Sequence, residues 1–300
     1  MKTTLIAKLE STCLQFHYAP ALIYKGTTLT YQEVFRKLQQ YACAMISLMP
    51  PANKDHGANK ICILGHNKLE TIICQLAALY SGMSFVTLDP SAPLNVIEAQ
   101  LHAIEPALVI QTNKATHAKE RQHNAYKNIS VHDLLDSPEQ HAPHPLPINS
   151  DENSLAYLLY TSGSTGVSKA VMQTHAGLYQ QVLTYTAFLA ISSEEKFSQL
   201  APIFHDQAIV DIYSALLNGA CLCLFDVDGY DMHSTRHFLS EQKISLFSST
   251  PQLFSALFAE QNKTSFPYLR KLAIGADAVT EKTLRVFIEN LPEVTVFIGE

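Results

Sequence analysis

Tryptophan is absent from the 300-residue sequence, glycine occurs only 11 times, and charged side chains make up only 16% of it. Hydrophobic residues reach 47%, enough for a packed core in one large domain or two moderate ones. Positive charge is in deficit: the net charge of −6 gives no sign of a nucleic-acid groove or a basic membrane-binding face. The cysteines Cys13, Cys43, Cys62, Cys74, Cys221 and Cys223 form no CxxC pair and repeat no metal-ligand spacing, so no metal ligands are assigned. Thiols scattered through apolar segments suit a reducing compartment. Long apolar runs are missing too. The N-terminal "MKTTLIAKLESTCLQF" carries Lys8 and lacks a sustained apolar core, so it is not expected to act as a signal peptide. "AIVDIYSALLNGACLCLF" is broken by Asp211, Asn218 and Gly219, and reads as helix, turn and buried strand rather than a membrane span. A soluble cytoplasmic protein, with no nucleic-acid partner and no membrane span, is expected.

What is present is alternation. "TYQEVFRKLQQYACAMISLM" has helical spacing after Thr30. "KICILG" reads as a strand, "LETIICQLAALYSG" as a helix ending at Gly82, and "SFVTLD" as a strand closed by Pro90. "LNVIEAQLHAIEP" is helical and "ALVIQT" extended. Such alternation predicts an α/β fold of mostly parallel sheets with crossover helices. From about Asn113 to Asn153 the pattern fades, and "DSPEQHAPHPLPINSDENS" reads as an exposed connection. His141 and His144 within it are read as solvated loop residues. The pattern resumes at "LAYLLY", "ISLFSS" and "RKLAIG".

The scarce glycines make one stretch conspicuous. "YTSGSTGVSKAV" begins at Tyr160 and holds Thr161, Ser162, Gly163, Ser164, Thr165, Gly166 and Lys169 between two extended runs. Gly163 and Gly166 let backbone approach a ligand, exposed N–H groups and hydroxyls suit phosphate, and Lys169 adds a point charge. A flexible surface turn is the alternative, but a strand on each side without a spacer argues against a linker. The spacing is not that of a Walker loop, because two residues separate Gly166 from Lys169 and no Ser or Thr follows the lysine.

The stretch resembles the YTSGSTGxPKG signature of the adenylate-forming superfamily, with Ser168 where Pro is usual and Ala170 where Gly is usual. "LTYQEV", "LAALYSGMSFVTLDPSAP" and "LRKLAIGADAV" resemble further family segments in the same order, the last with Ala276 and Asp277 in place of Gly and Glu. The resemblance spans about residues 10 to 300. It implies ATP as co-substrate, with Thr161–Gly166 and Lys169 holding phosphates and Gly275, Ala276 and Asp277 near the nucleotide. It also implies a carboxylic or amino acid substrate, and a carrier-protein or CoA thiol as acceptor. The implied fold is two α/β subdomains packed together, about 58–190 and about 1–57 plus 191–300.

"LAPIFHDQAIVDIYSALLNGACL" resembles the FDxSxxEIxxALLxGA segment of amino-acid adenylation domains. On that reading Asp206 pairs with a substrate ammonium, as a buried carboxylate requires, and Gln207, Val210, Ser248 and Ile274 line the pocket. The rival reading, an acyl or aryl acid substrate, takes "PIFHD" as resembling the P-x-x-H-D of fatty acyl-AMP ligases and the P-x-x-H of acyl-CoA ligases, with His205 closing the site near the α-phosphate. A strand-end pair capping the next helix is the plain structural alternative for His205 and Asp206, and a non-catalytic nucleotide-binding module stays open. The family's Tyr-Gly-x-Thr-Glu segment, magnesium glutamate, ribose aspartate and lid lysine have no counterpart in these residues. The chain is therefore expected to be the first part of a larger adenylation domain, inactive alone, with the Mg2+ ligand beyond residue 300.

Overall fold

The computed structural model describes residues 4–49, 59–65, 67–112, 126–135, 151–161, 169–226, 231–258, 266–275, 277–291 and 293–299. His141 and His144 lie outside them, as do residues 162–168 and Ala276. The chain is α/β and divides into two compact units. The first comprises Met1–Ser11, Gln32–Gln181 and Ile203–Asp206; the second comprises Thr12–Tyr31, Val182–Pro202 and Gln207–Glu300.

The first unit is built on a six-stranded sheet of β3 (Lys60–Leu64), β4 (Ser84–Leu88), β5 (Leu108–Gln111), β6 (Asn128–Ser130), β7 (Leu155–Thr161) and β8 (Lys169–Thr174). The order is β6-β5-β3-β4-β7-β8, parallel throughout except for the β7–β8 hairpin. β4 and β5 are buried at every position, which is why they read as unbroken apolar runs instead of alternating. The helix α4 (Leu94–Ile104) sets Ile97, Leu101 and Ile104 against Cys62, Leu64, Val86, Leu88, Val109 and Leu158 of the sheet. The helix α3 (Lys68–Tyr80) is buried on almost every side and starts where the Asn67 side chain accepts a bond from the Glu70 N–H at 3.1 Å.

Two details depart from the sequence reading. The helix α2 (Tyr31–Ser47) belongs almost wholly to the first unit, not the second, because Tyr41 donates to Glu70 and Phe35 meets Tyr80 edge-on, both on α3. Within the region where pattern fades, β6 adds a parallel edge to β5 and is followed by the short helix α5 (Val131–Leu135).

The second unit holds a seven-stranded sheet of β1 (Pro20–Tyr24), β2 (Thr27–Thr30), β9 (Lys196–Gln199), β10 (Cys221–Leu224), β11 (Leu246–Ser249), β12 (Lys271–Ile274) and β13 (Thr295–Ile298). The order is β13-β12-β11-β9-β10-β1-β2, antiparallel only at β1–β2. Lys25 and Gly26 form that hairpin's two-residue turn, both at positive φ, the geometry that matches strand twist. Gly219 (φ +79°) turns the chain from α7 (Asp206–Leu217) into β10, and a Cβ there would fall 2.5 Å from the Phe16 ring. Cys221 and Cys223 are buried free thiols on β10. The helix α6 (His175–Leu189) begins in the first unit and ends in the second. No helix among the described residues is long and apolar enough to cross a membrane.

Candidate functional site

In the first unit the candidate residues gather at the carboxyl ends of parallel strands, where open α/β sheets bind ligands. The β7–β8 hairpin pairs up to Thr161 and Lys169, so residues 162–168 connect its two last partners. Lys169 is exposed at the start of β8. Asp89 follows β4, the parallel neighbour of β7, and accepts from the Ser91 N–H at 2.8 Å and hydroxyl at 2.7 Å.

The segment 203–206 joins this unit through Ile203. Gly65, at the end of β3, leaves the room: a Cβ there would stand 2.8 Å from the Ile203 side chain. Phe204 and His205 follow, with ring centroids 5.1 Å apart. Burial of the His205 ring pushes its pKa down, and the Asp89 charge only partly opposes it. Asp206 is exposed, not buried as its proposed pairing with an ammonium assumes, and it forms the acidic first turn of α7. One of its oxygens lies 3.4 Å from the Tyr157 hydroxyl, which is the donor. Burial, then the neighbouring Asp206 charge, push the Tyr157 phenol well up, so it remains a donor at neutral pH. Tyr157 is held by stacking on Phe85, centroids 5.7 Å apart. Sequence reading missed Tyr157; its place in an apolar strand offered no signal.

In the second unit, α7 carries Gln207, Val210 and Asp211 on one face, at i, i+3 and i+4. Gln207 Nε2 donates to Asp211 Oδ1 and Ser248 Oγ, each at 2.9 Å, and lies 3.2 Å from the Tyr185 hydroxyl. Tyr185, from α6, donates to Asp211 at 3.3 Å. Burial pushes the Asp211 carboxyl up to about 7, against the downward pull of Gln207, Tyr185 and Ser248. Asp211 and Tyr185 were not foreseen. Asp211 stood in the sequence as an interruption of an apolar window, and the available signal was its i+4 spacing from Gln207.

The structure joins Gln207 to Ser248 and places Val210 on the same helix face. Ile274 does not join them. It pairs in register with Ser249, so it faces away from Ser248 into the core with Phe247 and Leu272. Ala273 is the residue opposite Ser248. Gly275 accepts close backbone approach: its N–H bonds Ser249 O at 3.2 Å, and a Cβ would lie 3.2 Å from Gly299 O. Asp277 accepts from Gln252 and from the Ala278 N–H, and these bonds draw its carboxyl pKa down. Among the described residues no three His, Cys, Asp or Glu side chains converge as metal ligands.

Comparison with known proteins adds to this geometry. A family model described as "AMP-binding enzyme" matches residues 9–299. Surfactin synthase subunit 2 of Bacillus subtilis is 28% identical over 283 residues, covering 93% of this chain. The chain spans only 8% of that relative's length. The Klebsiella oxytoca NpsA N-terminal subdomain, solved with 3-hydroxybenzoyl-AMSN, superposes with a TM-score of 0.85 at 21% identity, over 99% of this chain and 72% of that one. VinN, solved with L-aspartate, gives a TM-score of 0.86 at 20% identity, over 99% and 76%. At those identities the two structures speak for the fold alone.

Proposed function

The chain belongs to the AMP-binding enzyme family, and we propose that it is the N-terminal core of an adenylation domain that activates an amino acid. The observation that carries this reading is the family match over residues 9–299, reinforced by relatives named as nonribosomal peptide synthetases. In the proposed step a carboxylate oxygen attacks the α-phosphorus of ATP. The α–β phosphoanhydride bond breaks, pyrophosphate leaves, and a mixed acyl–phosphate anhydride remains. A carrier-protein or CoA thiol then attacks the acyl carbon, forming a thioester and releasing AMP. Such chemistry needs positioning and neutralised charge more than covalent help from the protein.

Residues 161–166 and Lys169 are assigned to the ATP phosphates, and Gly275–Asp277 to the neighbourhood of the nucleotide. Asp206 is assigned to the substrate ammonium, with Gln207, Val210 and Ser248 beside the acid. Residues 1–300 alone are expected to be inactive, since several charge-stabilising groups of the family have no match in them. The second reading, a fatty or aryl acid, is favoured by His205, whose ring is partly desolvated within reach of the Asp89 charge.

Substrate-dependent pyrophosphate exchange by the full-length protein tests the choice. Amino acids are expected to exceed their deaminated analogues at least tenfold, because a charge-assisted hydrogen bond between the substrate ammonium and Asp206, worth roughly 1.5–3 kcal/mol, has no counterpart with a methylene. Asp206→Ala should erase most of that margin. Turnover of acids without an amino group, unchanged by Asp206→Ala, would transfer the role to His205.

A further inference from the structure

The α7 helix is apolar from Ala208 to Leu217 except at Asp211 and Ser214, and Asp211 is 1% exposed. A carboxylate so placed is costly unless hydrogen-bonded. Its oxygen accepts from Gln207 Nε2 and from the Tyr185 hydroxyl. An ionised carboxylate only accepts, so it selects the NH2 end of the Gln207 carboxamide. That choice turns Gln207 Oε1 the other way, and among the described residues Oε1 takes part in no hydrogen bond. Ser248 Oγ, 2.9 Å from Nε2, holds the same end from β11.

We propose that Asp211 is a positioning residue that, with Tyr185, locks the Gln207 carboxamide with Oε1 outward, so that the site accepts acids bearing an N–H or O–H donor near the carboxylate. This rests on the reading above that Gln207 faces the acid. The donor concerned is additional to the ammonium assigned to Asp206. Protonating Asp211 turns an acceptor into a donor and permits the carboxamide to reverse. The groups facing Asp211 are Gln207 on its own helix, Tyr185 from α6 and Ser248 from β11. Of these only Tyr185 titrates, and burial followed by the Asp211 charge pushes its phenol well up, so Asp211 is the group that changes state near neutrality. The locked orientation therefore weakens as pH falls below about 7.

The test is pyrophosphate exchange by the full-length protein with matched pairs: threonine against valine, asparagine against leucine, and 2-hydroxybenzoate against benzoate. The donor-bearing member of the pair that fits is expected to lead in kcat/KM by about tenfold or more. Asp211→Asn presents an amide that can donate to Oε1, and should bring the pair within about twofold while exchange with the apolar member persists. Tyr185→Phe removes one anchor without removing charge and should reduce the margin in the same direction. The wild-type margin should shrink between pH 8 and pH 6, and the Asp211→Asn margin should not. If Asp211→Asn does not fold, Tyr185→Phe and the wild-type pH profile decide. A wild-type preference for the apolar member overturns the proposal, as does a margin indifferent to pH and to both variants. No exchange with any acid overturns the underlying reading, and this proposal with it; exchange without a donor preference overturns only this proposal.

Discussion

Replacing Lys169 by alanine in the full-length protein is expected to slow ATP–pyrophosphate exchange about 10²-fold, the usual loss when one charge-stabilising group is removed from a transition state. Lys169 opens β8 directly across from Thr161, the residue that closes β7. The hairpin register thus sets the Lys169 backbone where the Gly-, Ser- and Thr-rich sequence begins and ends. Its side chain is exposed, so truncation should leave folding stability within about 0.5 kcal/mol. Lys169→Arg keeps the charge and should recover part of the rate, less the geometric difference between guanidinium and ammonium. Wild-type exchange by Lys169→Ala, with unaltered ATP dependence, would remove the lysine from the phosphate site.

Glu195→Ala is expected to lower the stability of the second unit by about 1–3 kcal/mol, the loss of charge-assisted hydrogen bonds from a buried carboxylate whose partners Arg270 and Lys271 can still reach water. Glu195 is 3% exposed just before β9. It accepts from Lys271 at 2.8 Å, from Arg270 at 3.0 Å and from the Ser245 hydroxyl. These donors tie the start of β9 to the starts of β11 and β12. Burial alone would raise the Glu195 pKa; Lys271, Ser245 and Arg270 together outweigh it, so the carboxyl lies below its ordinary value. A folded-state pKa below the unfolded one supplies stability that is present above about pH 4.5 and lost as pH falls through the folded value. Hydrogen exchange of the β9, β11 and β12 amides is the measurement, since it reports the unit without requiring the whole protein to unfold. Protection in Glu195→Ala equal to wild type would show that the cluster contributes nothing. Glu195→Gln should fall between the two, because it can still accept from Ser245 while losing the charge.

Much of the fold is legible because parallel strands covered on both faces leave continuous apolar runs, as in "KICIL" and "SFVTL". Helices with a polar side leave a 3.6-residue period, as in α2. β6 and α5 escape because three and five residues are too few for either pattern. The phosphate-loop candidate rests on glycine scarcity and the family resemblance, and its residues 162–168 lie outside the described residues. The faces of the substrate side were not. Sequence offset names Ser248 and Ile274 together, whereas the β11–β12 register turns them to opposite sides of the sheet. Asp211 was hidden for a related reason: a single acidic residue in an apolar helix looks like an interruption until Tyr185 and Gln207, distant and near in sequence, are seen to meet it.

The most direct measurement is the identity of the activated product. The full-length protein, incubated with ATP, magnesium and the amino acid that supports exchange, should yield a species with the mass of that amino acid joined to AMP less one water, detected by mass spectrometry after acid quenching. Pyrophosphate should appear with it in equal amount, and Lys169→Ala should lower both together. ADP and an acyl phosphate in their place would mean attack at the γ-phosphorus and contradict the account, and an acyl-adenylate formed only from acids lacking an amino group would contradict its choice of substrate.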